Sequence, residues 1–209
     1  MNSRQFLDEE KIKIGCGGWN GFRTGLKGYS SYYNFVEVNC TYYALPPIAA
    51  ALSWKDQVSP NFEFALKAPQ KDPCSYEFIR LIEHLESEYI IVQEGNRNYM
   101  QALDTFAEIG LQPVLAPRGR VGVRDSVGKA LVSGDPLLYP IPGNHTSRYF
   151  RIFGVHAGIL HHLGSEMKKD LTRELVNVAK KTESMRVAVH TFSSFEDALW
   201  LNSLLAQRV

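Results

Sequence analysis

The segment NFVEVNCTYY, residues 34–43, shows most clearly how this chain folds. Its β-branched and aromatic residues predict a strand. Because successive side chains of a strand point to opposite faces, Val36 and Val38 share one face and Glu37 and Asn39 share the other. A strand with one bulky apolar face and one polar face is suited to packing under helices on the first side only. The second side is expected to face a polar interior.

Eight segments of this kind alternate with helical segments along the chain. Strands that alternate with helices are typical of a parallel sheet. Eight such units predict a TIM-like α/β barrel, with a doubly wound open sheet as the alternative. The segment 118–147 has no helical period of apolar residues, so we expect the barrel to be shortened or irregular around its fifth and sixth units. The predicted strands begin near Ile12, Asn34, Phe62, Tyr89, Leu111, Ala130, Tyr149 and Arg186.

Composition and charge favour a globular protein and argue against a nucleic-acid-binding or membrane-spanning one. The chain has 209 residues, of which 44% are hydrophobic and 22% charged, and we expect one domain over residues 1–209 with a polar leader at 1–11. A net charge of +1 gives no support to nucleic acid as a partner. No apolar run is long enough to cross a membrane, and the first residues do not resemble a signal peptide, so we expect a cytoplasmic location. Composition does not indicate an oligomeric state.

Polar residues of the second face gather near the ends of several predicted strands. Lys67 ends the third strand, Arg151 lies on the seventh, and His190 ends the last. In a barrel such residues point into the lumen near the C-terminal strand ends, where barrel enzymes keep their active sites. We therefore expect Glu37, Asn39, Lys67 and Arg151 to face one cavity.

Three motifs in the first third of the chain resemble the YecE-like family, also called domain of unknown function 72. They are Ile14-Gly-Cys-Gly-Gly-Trp19, then Val36-Glu-Val-Asn-Cys-Thr-Tyr-Tyr43 followed by Pro46, and finally residues 62–69, in which Lys67 stands where the family carries a lysine. The resemblance implies a TIM-like barrel whose biochemical role is not established. It identifies the chain as a short, diverged member.

The later strands match the family in order but depart from it at polar positions. Ala116 stands where the resemblance implies a glutamate, while Arg118 keeps the arginine of the same motif. Phe153 replaces the histidine of an arginine-x-histidine-glycine motif, and an asparagine pair is replaced by His190 and Thr191. These departures favour a member that has kept the mouth of the barrel and lost the chemistry.

Glu37 and His190 are the candidate catalytic residues. Glu37 is suited to act as a general base or a metal ligand. A buried carboxylate paired with Lys67 or Arg151 is an equal alternative, since an unpaired buried charge costs several kcal/mol. His190 is suited to acid–base chemistry because its ordinary pKa lies near neutral pH. Its alternative role is that of a core histidine, hydrogen-bonded across the lumen.

The candidate substrate-binding residues are cations, an amide and aromatic side chains near strand ends. Positive side chains that converge in one mouth favour a small anionic ligand, such as a phosphate or carboxylate. Solvated salt bridges give the same sequence pattern. Aromatic side chains at this place stack a base or a sugar ring, or form an apolar lid. These residues are Asn39, Lys67, Arg118, Arg151, Trp19, Tyr42 and Tyr43.

The sequence requires no cofactor. The turn at residues 15–18 lacks the spacing of a P-loop or of a dinucleotide fingerprint, so we interpret it as a tight strand-end turn. Because one segment is rich in histidine, a bound divalent metal stays an alternative. The segment has none of the fixed spacings of metal sites, and we predict no metal ligands. The members of that segment are His145, His156, His161, His162 and Glu166.

Two hypotheses of different class follow. The first is an enzyme that acts on a phosphate-bearing small molecule or nucleotide at the C-terminal mouth of the barrel, and the convergent polar residues favour it. The second is a non-catalytic protein that binds an anion or another ligand there. Ala116, Phe153 and Thr191 favour this second hypothesis.

Overall fold

The computed structural model describes residues 11–117, 126–136, 146–154 and 163–205. Nine strands within these residues form one sheet. They are β1 (Ile12–Cys16), β2 (Phe35–Val38), β3 (Glu63–Lys67), β4 (Tyr89–Gln93), β5 (Gln112–Ala116), β6 (Ser126–Val127), β7 (Ala130–Val132), β8 (Ser147–Ile152) and β9 (Ser184–Val189).

Eight of these strands run parallel around a nearly closed barrel. Starting from β1, the sheet continues through β2, β3, β4 and β5 to β7 in one direction, and through β9 to β8 in the other. A parallel bridge between Gly134 and Phe150 joins the two ends, and β6 pairs antiparallel with β7. The predicted TIM-like α/β barrel is confirmed.

The barrel is least closed where the sequence predicts irregularity. Of the predicted segment 118–147, the structure describes 126–136 and the last two residues. Residues 126–136 form the β6–β7 hairpin and contain no helix. Among the described residues, a single parallel bridge, from Gly134 just after β7 to Phe150, pairs this end of the sheet with β8. The remaining parts, 118–125 and 137–145, lie outside the described residues.

The described helices follow the strands and cover the outside of the barrel. The helix α5 begins at Ser165 with a polar first turn, and Glu166 in that turn suits the helix dipole. None of the described helices combines the length and apolarity that a membrane span requires. The helices are α1 (Gly25–Tyr29), which the sequence did not predict, α2 (Ile48–Lys55), α3 (Tyr76–Leu85), α4 (Tyr99–Glu108), α5 (Ser165–Ala179) and α6 (Ser194–Leu205).

The alternation of side chains divides the interior into two cores. Outward-pointing residues such as Val36, Val38 and Phe64 join the large core beneath the helices. Inward-pointing residues fill the lumen in a separate cluster. Its members are Phe35, Ala65, Tyr89, Ile91, Val114, Ala116, Leu131, Tyr149 and Ala188. The two faces predicted from the strand pattern are therefore the two sides of the barrel wall.

The second strand is shorter than the sequence predicts. It ends at Val38, and residues 40–42 form a 3-10 turn. The hydroxyl of Thr41 donates to the carbonyl of Val38 at 2.9 Å and lies 2.6 Å from the carbonyl of Lys67. Threonine hydroxyls compete with strand pairing in this way. The turn carries the following aromatic residues away from the strand direction.

Charged residues near the N-terminal ends of the strands pair with one another. Nε of Arg186 lies 2.8 Å from Oε1 of Glu63, and Nζ of Lys13 lies 3.2 Å from Oε2 of the same carboxylate. The three side chains are about nine-tenths buried. In TIM barrels the N-terminal end serves stability. The C-terminal end is therefore the place to look for a site.

Gly15 allows β1 and β2 to approach each other closely. A Cβ atom there would lie 1.9 Å from the carbonyl oxygen of Phe35 and 2.7 Å from the hydroxyl of Tyr29. We expect Gly15→Ala to lower the free energy of unfolding by about 1–3 kcal/mol, as overpacking does, in a urea titration. Gly164→Ala is the control, because nothing lies within 4 Å of its Cβ position. Equal stability of the two variants would contradict this account of the β1–β2 contact.

Candidate functional site

The C-terminal mouth of the barrel is lined by half-buried polar and aromatic residues. Each lies at, or one residue beyond, the C-terminal end of a lumen-facing strand, where it is neither sealed in the core nor fully solvated. Barrel enzymes keep their catalytic residues in this position. These residues are Asn39, Lys67, Gln93, Phe153 and His190.

Glu37 is the hub of the polar network beneath the mouth. Its side chain is completely buried. Arg151 donates to it twice, from Nε to Oε2 at 3.0 Å and from Nη2 to Oε1 at 2.9 Å. The hydroxyl of Tyr149 donates to Oε2 at 3.0 Å. Of the two partners considered from the sequence, Arg151 and Lys67, the carboxylate therefore pairs with Arg151.

This network keeps Glu37 ionised. Burial alone raises the pKa of Glu37, but the positive charge of Arg151, the neighbouring His190 and the hydrogen bonds outweigh burial. The pKa of Glu37 therefore lies well below its ordinary value. Burial and the adjacent carboxylate also raise the pKa of Tyr149 well above its ordinary value. A carboxylate this acidic, with both oxygens occupied, is a poor proton acceptor for a substrate.

His190 lies between Glu37 and the mouth. Its Nε2 atom is 3.3 Å from Oε1 of Glu37, within ion-pair distance, but forms no hydrogen bond within the described residues. The ring of Phe153 stacks on the imidazole, with centroids 4.7 Å apart and planes at 20°. Burial lowers the pKa of His190, the positive charges of Arg151 and Lys67 lower it further, and Glu37 offsets part of this effect. The pKa of His190 therefore lies below its ordinary value.

The glycine turn after β1 makes room for His190. A Cβ atom on Gly17 would lie 2.3 Å from Nδ1 and Cε1 of the imidazole, and 2.8 Å from Nδ2 of Asn39. That amide nitrogen donates to the carbonyl of Gly17 at 3.2 Å. The turn thus holds Asn39 and the Nδ1 edge of His190 on its two sides. This supports the interpretation as a tight turn and adds a packing reason for the glycine.

Lys67 contributes a positive charge on another side of the mouth. Its Nζ atom lies 4.2 Å from the centroid of the Tyr42 ring, in the geometry of a cation–π contact. The hydroxyl of Tyr42 is 3.2 Å from Oδ1 of Asn96. Tyr42 is buried, its ring face contacts Lys67, and its hydroxyl is hydrogen-bonded to Asn96. Tyr42 therefore holds Lys67 in place.

The other predicted residues are not all brought together. Arg151, predicted to hold an anion, gives two of its donors to Glu37. Trp19 packs edge-on against Trp54 of α2 at 5.0 Å and adjoins the core beneath the helices, whereas Tyr43 is 82% exposed. Arg118 lies outside the described residues. The anion-binding prediction therefore depends, among the described residues, mainly on Lys67.

Sequence reasoning did not assign Tyr149, Phe153 and Asn96 to the site. Strand alternation placed the first two on the face of Arg151, but only the packing of β8 against β9 shows which groups they touch. Nδ2 of Asn96, in the loop after β4, is buried and has no hydrogen-bond partner in the part of the chain that the structure describes. No pattern in the sequence distinguishes Asn96 from an ordinary loop residue.

The histidine-rich segment falls mostly outside the described residues. This applies to His145, His156, His161 and His162, so its metal-binding alternative stays a prediction. Within the described ranges, no group of three or more His, Cys, Asp or Glu side chains is arranged to hold a metal ion.

Comparisons with known proteins agree with this geometry. The family model "Protein of unknown function DUF72" matches residues 15–108. The UPF0759 protein YecE of Escherichia coli K12 is 41% identical over 46 residues, which are 22% of this chain and only 17% of YecE.

Two solved structures of DUF72 family proteins share the fold of nearly the whole chain. EF0366 of Enterococcus faecalis V583 aligns with a TM-score of 0.73 at 18% identity, covering 94% of this chain and 98% of that protein. TM1631 of Thermotoga maritima MSB8 aligns with a TM-score of 0.67 at 16% identity, covering 93% and 99%. The resemblance seen in the first three strands is confirmed: residues 15–108 match the DUF72 family model, and the chain has the fold of solved DUF72 family proteins.

Proposed function

We propose that the chain is a barrel enzyme that binds a small phosphate-bearing molecule at its C-terminal mouth. In this proposal Lys67 binds the anion, Asn39 orients the substrate, and His190 transfers the proton. Glu37 acts through His190, as a positioning residue. The observation that carries the proposal is the position of His190, directly after β9, with its Nε2 atom held 3.3 Å from Oε1 of the fully buried Glu37.

The electrostatics support this division of roles. An ionised carboxylate at Nε2 favours the tautomer with a proton on Nε2, which leaves the lone pair on Nδ1. Nδ1 has no hydrogen-bond partner among the described residues and lies beside Gly17 and Asn39. A neutral imidazole with an unprotonated nitrogen can accept a proton, and a carboxylate on its other nitrogen stabilises the resulting charge.

A non-catalytic binding protein is the second candidate. Phe153 stacks on His190 at the position where the family resemblance implies a histidine, and Ala116 stands in place of a glutamate. Both residues remove polar groups from the lumen. We therefore propose to measure turnover of phosphomonoesters and phosphodiesters, with and without divalent metal ions, beside binding of inorganic phosphate. Binding of phosphate without turnover supports the second candidate. If neither binding nor turnover is found, both candidates are contradicted.

Lys67→Ala is expected to weaken the binding of inorganic phosphate about 10- to 100-fold, because a well-placed charge-assisted hydrogen bond is lost. Isothermal titration calorimetry measures the change, and the melting temperature shows whether the variant is folded. Lys71→Ala is the matched control, since Lys71 is an exposed lysine four residues further along, in the loop that follows β3. A stable Lys67→Ala variant that binds phosphate as the parent does would remove Lys67 from the site and leave Arg118 as the next candidate.

A further inference from the structure

Two large aromatic side chains are exposed at the mouth of the barrel. Tyr43 is 82% exposed and follows β2, and Phe192 is 65% exposed and follows β9. The strands β2 and β9 are the two neighbours of β1 in the sheet. The loops that carry the two rings therefore lie on either side of the glycine turn that borders Asn39 and His190. Exposed apolar surface concentrated at one place marks a binding surface more often than scattered single residues do.

The aromatic surface at Tyr43 adjoins the positive charge of Lys67. The rings of Tyr42 and Tyr43 meet edge to face, with centroids 5.1 Å apart and planes at 89°. The Nζ atom of Lys67 lies over the Tyr42 ring at 4.2 Å. Tyr42 is buried and fixes both neighbours, so an exposed ring and an ammonium group are held on two sides of one rigid support.

We infer that the ligand of this mouth is a planar aromatic anion, whose ring stacks on Tyr43 and whose phosphate or carboxylate group binds near Lys67. The inference rests on the proposed anion site and adds the class of molecule that carries the anion. An aromatic ring is favoured over an aliphatic one because stacked rings gain more than apolar contact alone. Phe192 borders the same opening from the side of His190 and covers the ring of the bound molecule.

The test compares three ligands on the unmodified chain by isothermal titration calorimetry. Phenyl phosphate is expected to bind about tenfold more tightly than cyclohexyl phosphate, which has a similar size but no aromatic face. Cyclohexyl phosphate is expected to bind about as well as inorganic phosphate or a few-fold better. If phenyl and cyclohexyl phosphate bind equally, the aromatic class is wrong while the anion site stands. If none of the three binds, the proposed function fails together with the inference.

Two variants locate the ring. Tyr43→Leu is expected to remove the preference for phenyl phosphate and to leave binding of inorganic phosphate unchanged, whereas Tyr43→Phe retains the preference. Tyr32→Leu is the matched control, because Tyr32 is 57% exposed but its ring packs against Phe22 and Tyr33 and not against Tyr42. A Tyr43→Leu variant that keeps the full preference would overturn the placement of the ring. Tyr43 is so exposed that its replacement is not expected to disturb folding.

Discussion

Glu37→Gln is expected to destabilise the folded chain by about 3–5 kcal/mol at neutral pH. The substitution keeps the size of the side chain but leaves the guanidinium of Arg151 buried without its counter-charge, and a buried pair that loses one partner costs this much. The side chain of Glu37 is fully buried and that of Arg151 is 8% exposed, so solvent screens the pair little. Urea titration followed by circular dichroism measures the loss.

Two controls test the cause of that loss. Glu86→Gln breaks the ion pair of Glu86 with Lys55. Because the side chain of Glu86 is 77% exposed, this substitution is expected to cost less than about 1 kcal/mol of stability. The double variant Glu37→Gln/Arg151→Met removes both buried charges and is expected to be more stable than Glu37→Gln alone. A single Glu37→Gln variant as stable as Glu86→Gln would contradict the central place of this pair in the lumen.

The pH dependence of stability follows from the same pair. The pKa of Glu37 is lower in the folded chain than in the unfolded chain. Its contribution to stability is therefore complete above the ordinary glutamate pKa of about 4.3 and is lost as the pH falls towards the folded pKa. We expect the stability difference between the parent and Glu37→Gln to be constant near neutral pH and to shrink below about pH 4.

His190→Asn is expected to lower kcat about 100-fold or more in any phosphate-ester reaction that the chain catalyses, because general acid–base catalysis contributes at least that factor. The loss of the imidazole should leave binding of inorganic phosphate nearly unchanged. His84→Asn is the control, since His84 lies in the last turn of α3 and contacts the carbonyl of Arg80. A His190→Asn variant with unchanged kcat would favour the non-catalytic candidate.

Nuclear magnetic resonance of the imidazole nitrogens tests the protonation state directly. We expect the neutral tautomer with the proton on Nε2, and a titration midpoint below the ordinary value of about 6.5, because burial and the charges of Arg151 and Lys67 disfavour the cation. In Glu37→Gln the midpoint should fall further, since the nearby negative charge is lost. A midpoint above about 7 in the parent would mean that His190 is mostly protonated at neutral pH, which contradicts its role as a base.

The order of strands and helices could be predicted from local patterns. In Val36-Glu37-Val38 the alternation alone separates the helix-packed face from the lumen, because side chains of a strand alternate regardless of its neighbours. The strand ends at Lys67 and His190 follow from the same pattern, and parallel strands bring such ends to one side of the sheet. The sequence pattern failed at residues 40–42, where the hydroxyl of Thr41 bonds to two carbonyls and turns the chain.

The sequence by itself therefore determined the alternation of strands and helices, the two faces of the strands and the end at which polar residues gather. Only the tertiary structure decided which of them meet. Lys67 lies on β3, next to β2 in the sheet, yet Glu37 pairs with Arg151 on β8, three strands away in the other direction. The physical reason is closure: when a sheet curves into a barrel, inward side chains of non-adjacent strands meet across the lumen. Strand alternation specifies that a side chain points inward but carries no information on its partner across that space.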